Sequence, residues 1–139
     1  MSYDPSNVFA RILRGEIPCH KVYEDEHTLA FMDIMPQAEG HTLVVPKAPG
    51  RDIFEMPPEA LAAAIRTTQR VAAAVRDAFD APGIMIAQLN GAPAGQTVFH
   101  LHFHVVPRYH GKDMRMTSAA MADSAVLAEH AARIRAKLG

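Results

Sequence analysis

The chain has 139 residues, enough for one domain with a real core, and its 49% apolar and 21% charged residues exclude a disordered chain. A formal net charge of −1, with no run of Lys or Arg, excludes a nucleic-acid groove or a membrane-binding face held by the field of the whole protein. Cys19 is the only cysteine, the polar start MSYDPSN has no signal-peptide pattern, and no apolar run reaches spanning length, so a cytoplasmic domain without disulfides is expected.

In chain order, Asp4-Pro5-Ser6 predicts a helix start, with Val8, Phe9, Ile12 and Leu13 at helical spacing and Gly15 as the stop. His20 to Glu24 and Thr28 to Ile34 predict two strands around the turn Asp25-Glu26-His27. Pro36 to Gly40 predicts a loop, and His41 to Pro46 a short strand. Pro57-Pro58 opens the longest helix, to about Phe79, with Leu61, Ile65, Ala72, Val75 and Phe79 as its apolar stripe. Gly83 to Leu89 is nearly all apolar and predicts a strand covered on both faces; Asn90 to Thr97 is a loop. The segment from His110 to Met121 is irregular, and Asp123 or Ser124 caps a last helix with Leu127, Ala131, Ile134 and Leu138 inward. The order predicts a single α+β domain on a mainly antiparallel sheet, with a long helix and terminal helices.

The stretch HLHFHVVPRY, His100 to Tyr109, carries the chemistry. In an extended strand His100, His102 and His104 share one face, opposite Phe99, Leu101, Phe103 and Val105. Three clustered imidazoles suit a metal site or a phosphate site with a nucleophilic histidine. No Asp, Glu or Cys follows the triad closely, and the nearby Arg108 suits an anion better than a cation. Upstream, Asn90-Gly-Ala-Pro-Ala-Gly-Gln96-Thr97 offers a glycine turn, amides and a hydroxyl, groups that meet phosphate oxygens. His20, His27, His110 and His130 have no partner pattern and are expected to face solvent; Met114, Met116 and Met121 read as a packing segment.

Gly95 to Arg108, GQTVFHLHFHVVPR, resembles the signature of the histidine-triad (HIT) superfamily. Gly15-Glu-Ile-Pro18, Lys21-Val-Tyr-Glu-Asp25, Leu29-Ala-Phe-Met-Asp-Ile34 and Gly40-His-Thr-Leu-Val-Val-Pro-Lys47 stand in the order seen in Hint-like members, so the resemblance covers Val8 to Tyr109. It implies a HIT-like fold and a purine nucleoside phosphoramidase in which His102 attacks the α-phosphorus to give a nucleotidyl-histidine. His100, His104, His41 and Thr97 would complete the catalytic set. Gln96, Thr97, His104 and Asn90 would bind phosphate. Asp33 would hold the ribose hydroxyls, and Val8, Phe9, Ile12, Ile17, Phe31 and Ile34 the base. Neutral imidazoles are expected from their crowding.

Three departures stand out. Asn7, Ala10 and Pro49 replace the Cys-x-x-Cys and His that hold a structural zinc in many bacterial members, so no metal or other cofactor is expected. Leu89 stands where relatives often carry an amide. The segment after His110 varies across the family. Hydrolysis of dinucleoside polyphosphates is the alternative reaction, and a nucleotide-binding module with incidental catalysis the alternative class. The resemblance also implies a homodimer, with the Ala-rich helix from Ala60 to Ala74 packing against its mate or on its own sheet.

Overall fold

The computed structural model describes residues 2–111 and 120–138. Its elements in order are α1 (Val8–Leu13), β1 (Lys21–Glu24), β2 (Thr28–Met32), β3 (Thr42–Pro46), α2 (Pro58–Phe79), β4 (Gly83–Ala87), β5 (Phe103–Arg108) and α3 (Ser124–Lys137). The five strands form one antiparallel sheet in the order β1-β2-β3-β5-β4. This is the expected α+β architecture with a long helix and helices near both ends.

Local chemistry explains the boundaries. Asp4 folds into a turn by accepting from the N–H and hydroxyl of Ser6, and Asn7 caps α1 by accepting from Ala10 N–H at 2.9 Å. The helix therefore begins three residues after Pro5. Between β1 and β2, Asp25 Oδ1 accepts from the backbone of His27 and Thr28, which makes the hairpin turn. Asp123 caps α3 through Ala125 N–H.

The sheet alternates sides residue by residue. Ala30, Met32, Val44 and Val105 pack with Val71, Val75 and Phe79 of α2 and Leu127, Ala131 and Ile134 of α3. Leu29, Phe31, Leu43 and Val45 point the other way and pack with Phe9 of α1. Strands β2 and β3 are consequently buried at all ten positions, five in each.

Several expectations are corrected. The strand covered on both faces is not Gly83 to Leu89: β4 is an edge strand of half-buried residues, with Ile86 exposed. The buried face of α2 is made of Ala63, Ala64, Thr67, Thr68, Val71, Ala74, Val75 and Phe79, whereas Ile65 is exposed. Small residues let the helix settle close to the sheet, where the Thr67 and Thr28 hydroxyls bond at 2.8 Å. His130 is buried against the Phe79 ring rather than facing solvent. Met121 is exposed, while Met114 and Met116 lie outside the described residues. The triad is only partly on a strand, because β5 begins at Phe103 and both His100 and His102 precede it.

Candidate active site

A cavity of about 560 Å³ opens between α1 and the sheet face that α2 and α3 do not cover. His102, His104, His41 and Thr97 line it together with Asp33 and Gln37, and the remainder of its wall is largely apolar. The topology brings these groups together. Asp33 leaves β2 and His41 enters β3, with Asp33 N–H donating to His41 O at 3.1 Å, so the two side chains meet across the mouth of the β2–β3 connection. His104 sits on β5 directly opposite Leu43.

The hydrogen bonds assign every proton of this cluster. The backbone N–H of Gln37 donates to His41 Nδ1 at 3.0 Å, so the ring proton of neutral His41 lies on Nε2. That N–H faces His104 Nδ1 at 3.0 Å and makes it an acceptor, which leaves His104 with its proton on Nε2. His102 Nδ1 lies 2.8 Å from the carbonyl of His100 and must carry the proton in that bond. Its Nε2 is therefore a bare lone pair on a ring that lines the cavity. The Phe9 ring meets His102 edge-on, with centroids 4.8 Å apart.

The charge states agree. Burial, with the charges of His104, Arg108 and His102 adding to it, pushes the His41 pKa down to about 3. Burial is also the main cause that pushes His102 down to about 4, against the opposing pull of the His100 carbonyl. His104 and His100 are lowered as well, again chiefly by burial. Crowding among the imidazoles is thus the lesser cause. Burial pushes Asp33 up to about 6 although Met35 N–H donates to its carboxylate. At neutral pH the site holds one carboxylate and four neutral imidazoles.

Most of the expected residues converge here. Val8, Phe9, Ile12, Ile17, Phe31 and Ile34 all line the apolar part, with Val8 and Ile34 exposed to it rather than sealed in the core. Three placements differ from expectation. His100 does not line the cavity: its ring is buried between Tyr3 and the Pro46 carbonyl. Gln96 is also buried, and both N–H groups of its amide are spent on the carbonyls of Arg51 and Val98 while its oxygen accepts from Gly91 N–H. Asn90 accepts from Ile53 N–H and exchanges bonds with the amide of Gln88. The two amides expected to meet phosphate instead hold the shape of the loop from which Thr97 projects.

Leu43, Met35, Gln37, Cys19, His20 and Ser124 line the cavity and were not expected. Leu43 could have been found as the alternate partner of His41 along the strand. Ser124 could not, because it arrives from α3, ninety residues from Ile34 in sequence, through a chain that Ala122 N–H ties to the Ile34 carbonyl at 2.9 Å.

The residues do not fit a resident metal. Asn7 spends its oxygen as a helix cap, and Ala10 and Pro49 have no donor side chain. Asp33, His41 and His104 each offer an atom within 4.8 Å of the others, but His41 Nε2 carries a proton as long as Gln37 N–H occupies Nδ1. Coordination there would break that bond and turn two donors against each other.

A family model described as the HIT domain matches residues 14–111. The crystal structure of a Hit-like protein involved in cell-cycle regulation from Bartonella henselae superposes with a TM-score of 0.93 at 46% identity, covering 99% of this chain and 100% of that one. A hypothetical histidine triad nucleotide-binding protein from Sulfolobus tokodaii superposes with a TM-score of 0.86 at 29% identity, over 94% of this chain and 90% of that one. The adenylylsulfatase HINT3 of Arabidopsis thaliana is 39% identical over 101 residues, 73% of this chain and 51% of that protein.

Proposed function

The chain belongs to the HIT domain family, whose members are nucleotide-binding proteins and generally nucleotide hydrolases or transferases, and from that premise we propose that it is a purine nucleoside phosphoramidase working through a nucleotidyl-His102 intermediate. One observation carries the reading: His102 Nδ1–H is tied to the His100 carbonyl, so the ring that lines this largely apolar cavity keeps a neutral Nε2 lone pair. A binding module has no use for an aligned nucleophile.

In the first step Nε2 of His102 attacks the α-phosphorus. A nitrogen–phosphorus bond forms as the bond to the leaving amine breaks, and positive charge develops on the imidazole, whose Nδ1–H the His100 carbonyl accepts. His104 donates its Nε2–H to a phosphate oxygen, held in that role by His41. The Thr97 hydroxyl gives the departing amine a proton and recovers one from the water that attacks in the second step. That attack breaks the bond to His102 and restores the neutral ring. Asp33 accepts from the ribose hydroxyls, and the base lies against Val8, Phe9, Ile12, Ile17, Phe31 and Ile34. No metal takes part, and none of these steps needs one.

A second substrate is favoured by the name of the Arabidopsis relative. With adenylyl sulfate the same nucleophile expels sulfate, which departs without a proton, so Thr97 matters less. Turnover of adenosine 5′-phosphoramidate and adenylyl sulfate in EDTA, wild type against His102→Ala, tests both. A loss of three orders of magnitude or more in the variant is expected, on the order seen for removal of other covalent nucleophiles. Equal rates in the two proteins, or loss on chelation alone, would return the histidines to another role.

The protein is further proposed to be a cytoplasmic homodimer. The small residues of α2 pack on the chain's own sheet, so the mate is met instead by the edge strand β4 and the outer side of α2, where Ile65, Ala72 and Ile86 form an apolar strip. Sedimentation should give twice the chain mass, and Ile86→Lys should yield monomer.

A further inference from the structure

The backbone that orients His102 lies outside the sheet. Strand β5 starts at Phe103, so no ladder bond of the sheet fixes the carbonyl of His100, the one acceptor that sets the His102 tautomer. Other contacts must hold it. Leu101 N–H donates to the Gly50 carbonyl at 2.9 Å, and the His100 side chain is gripped at both ring nitrogens. Pro46 O is only an acceptor, so His100 Nε2, 2.8 Å away, must carry the proton. Nδ1 is then a lone pair on a ring that is 1% exposed. Its donor is the hydroxyl of Tyr3, 2.6 Å distant, on a ring that also meets the imidazole edge-on at 5.7 Å.

We infer that Tyr3 is a positioning residue for catalysis: its hydroxyl locks the His100 ring, and the locked residue holds the carbonyl that orients His102. Tyr3 touches neither the cavity nor the reacting atoms. It comes from the chain ahead of α1, ninety-seven residues from His100, and α1 itself places Phe9 against His102. The two contacts brace the first two triad histidines from one short N-terminal stretch. The inference rests on the proposed role of His102 for its kinetic consequence, but not for the geometry.

Tyr3→Phe keeps the ring contact and removes only the hydroxyl. Two measurements on the full chain read the result: nitrogen-15 spectra of the imidazoles without substrate, and steady-state kinetics with adenosine 5′-phosphoramidate beside His102→Ala. The variant should change the His100 Nδ1 signal and weaken and expose the His102 Nδ1–H. Its kcat should fall about five- to tenfold, what one hydrogen bond of ordinary worth supplies, with KM held within about twofold. Unchanged His102 spectra in the variant would overturn the inference, whether or not His100 responds, because the tie would then end at His100. Unchanged kcat in a protein whose wild type depends on His102 would overturn it equally. If wild type and His102→Ala do not differ, the proposed reaction fails, and the spectra alone decide the role of Tyr3.

Discussion

Gln37 spends its backbone N–H on His41, and that bond decides what two histidines can do: His41 becomes the donor to His104, and His104 the donor to a ligand. A peptide N–H cannot reverse its role, so the arrangement is set by the chain and not by pH. None of this is visible in the string HLHFHVVPRY, which advertises imidazoles by type and period but not where their protons sit. The same holds for Gln96 and Asn90. Their types suit phosphate, yet their amides are consumed by Arg51, Val98, Gly91, Gln88 and Ile53, contacts that only folding creates. Asp33 is raised by burial to about 6, close to neutrality. With Asp33 in its proposed role, protonation below that pH removes the acceptor for ribose, so kcat/KM should fall on the acid side with a midpoint near 6. His102, neutral down to about 4, cannot produce that limb. Asp33→Asn should abolish the limb and raise KM, measured as a pH profile from 4.5 to about 8. A limb that persists in the variant would assign the titration elsewhere.

At the scale of elements, period told type well and burial poorly. The boundaries of α2 and the capped start of α3 follow from Pro57-Pro58 and Asp123 as read, since proline and a capping carboxylate act locally. Which face of α2 is buried depends on how near the sheet lies, and the close approach selects Ala63, Ala64 and Ala74 over Ile65. Likewise, the apolar run of β4 suits an interior strand, but its neighbour on one side is β5 and on the other no described strand. The loop from Asp33 to His41 shows the cost of close approach. Gly40 has φ +89°, and a Cβ there would stand 2.8 Å from the Phe79 ring of α2. Gly40→Ala combines a disfavoured backbone with overpacking, and should lower stability by roughly 2–4 kcal/mol in urea unfolding. It should also cost activity at a temperature where the variant is still folded, because His41 is the next residue. A loss below about 0.5 kcal/mol would mean that Phe79 yields freely.

For the whole molecule, the sheet divides the work. One face is sealed by α2 and α3 as core, and the other is partly covered by α1 and carries the cavity. The blocks that mark the family run along both faces, which is why the fold could be read from them while the C-terminal wall could not. Burying neutral histidines also ties stability to pH. His41 and His102 have folded pKa values near 3 and 4, below the ordinary histidine value, so the unfolded chain binds more protons as pH falls below about 6.5. Their contribution is present above that pH and is lost as pH falls toward 4. Asp33, raised to about 6, works in the opposite sense between about 6 and 4, but it is one group against two. Tm should therefore drop between pH 6.5 and 4.5, and drop less in His102→Ala. A Tm that is flat or rises over that interval would contradict the neutral, buried state of these rings.

A covalent nucleotidyl-His102 can be caught by stopping the reaction. Wild-type protein mixed with excess adenosine 5′-phosphoramidate in EDTA and quenched within the first turnover should show, by intact mass and peptide mapping, one adenylyl group on His102. His102→Ala should show none. Turnover of the substrate with no adduct in the wild type, or an adduct on His104 or His41, would rule out His102 as the nucleophile.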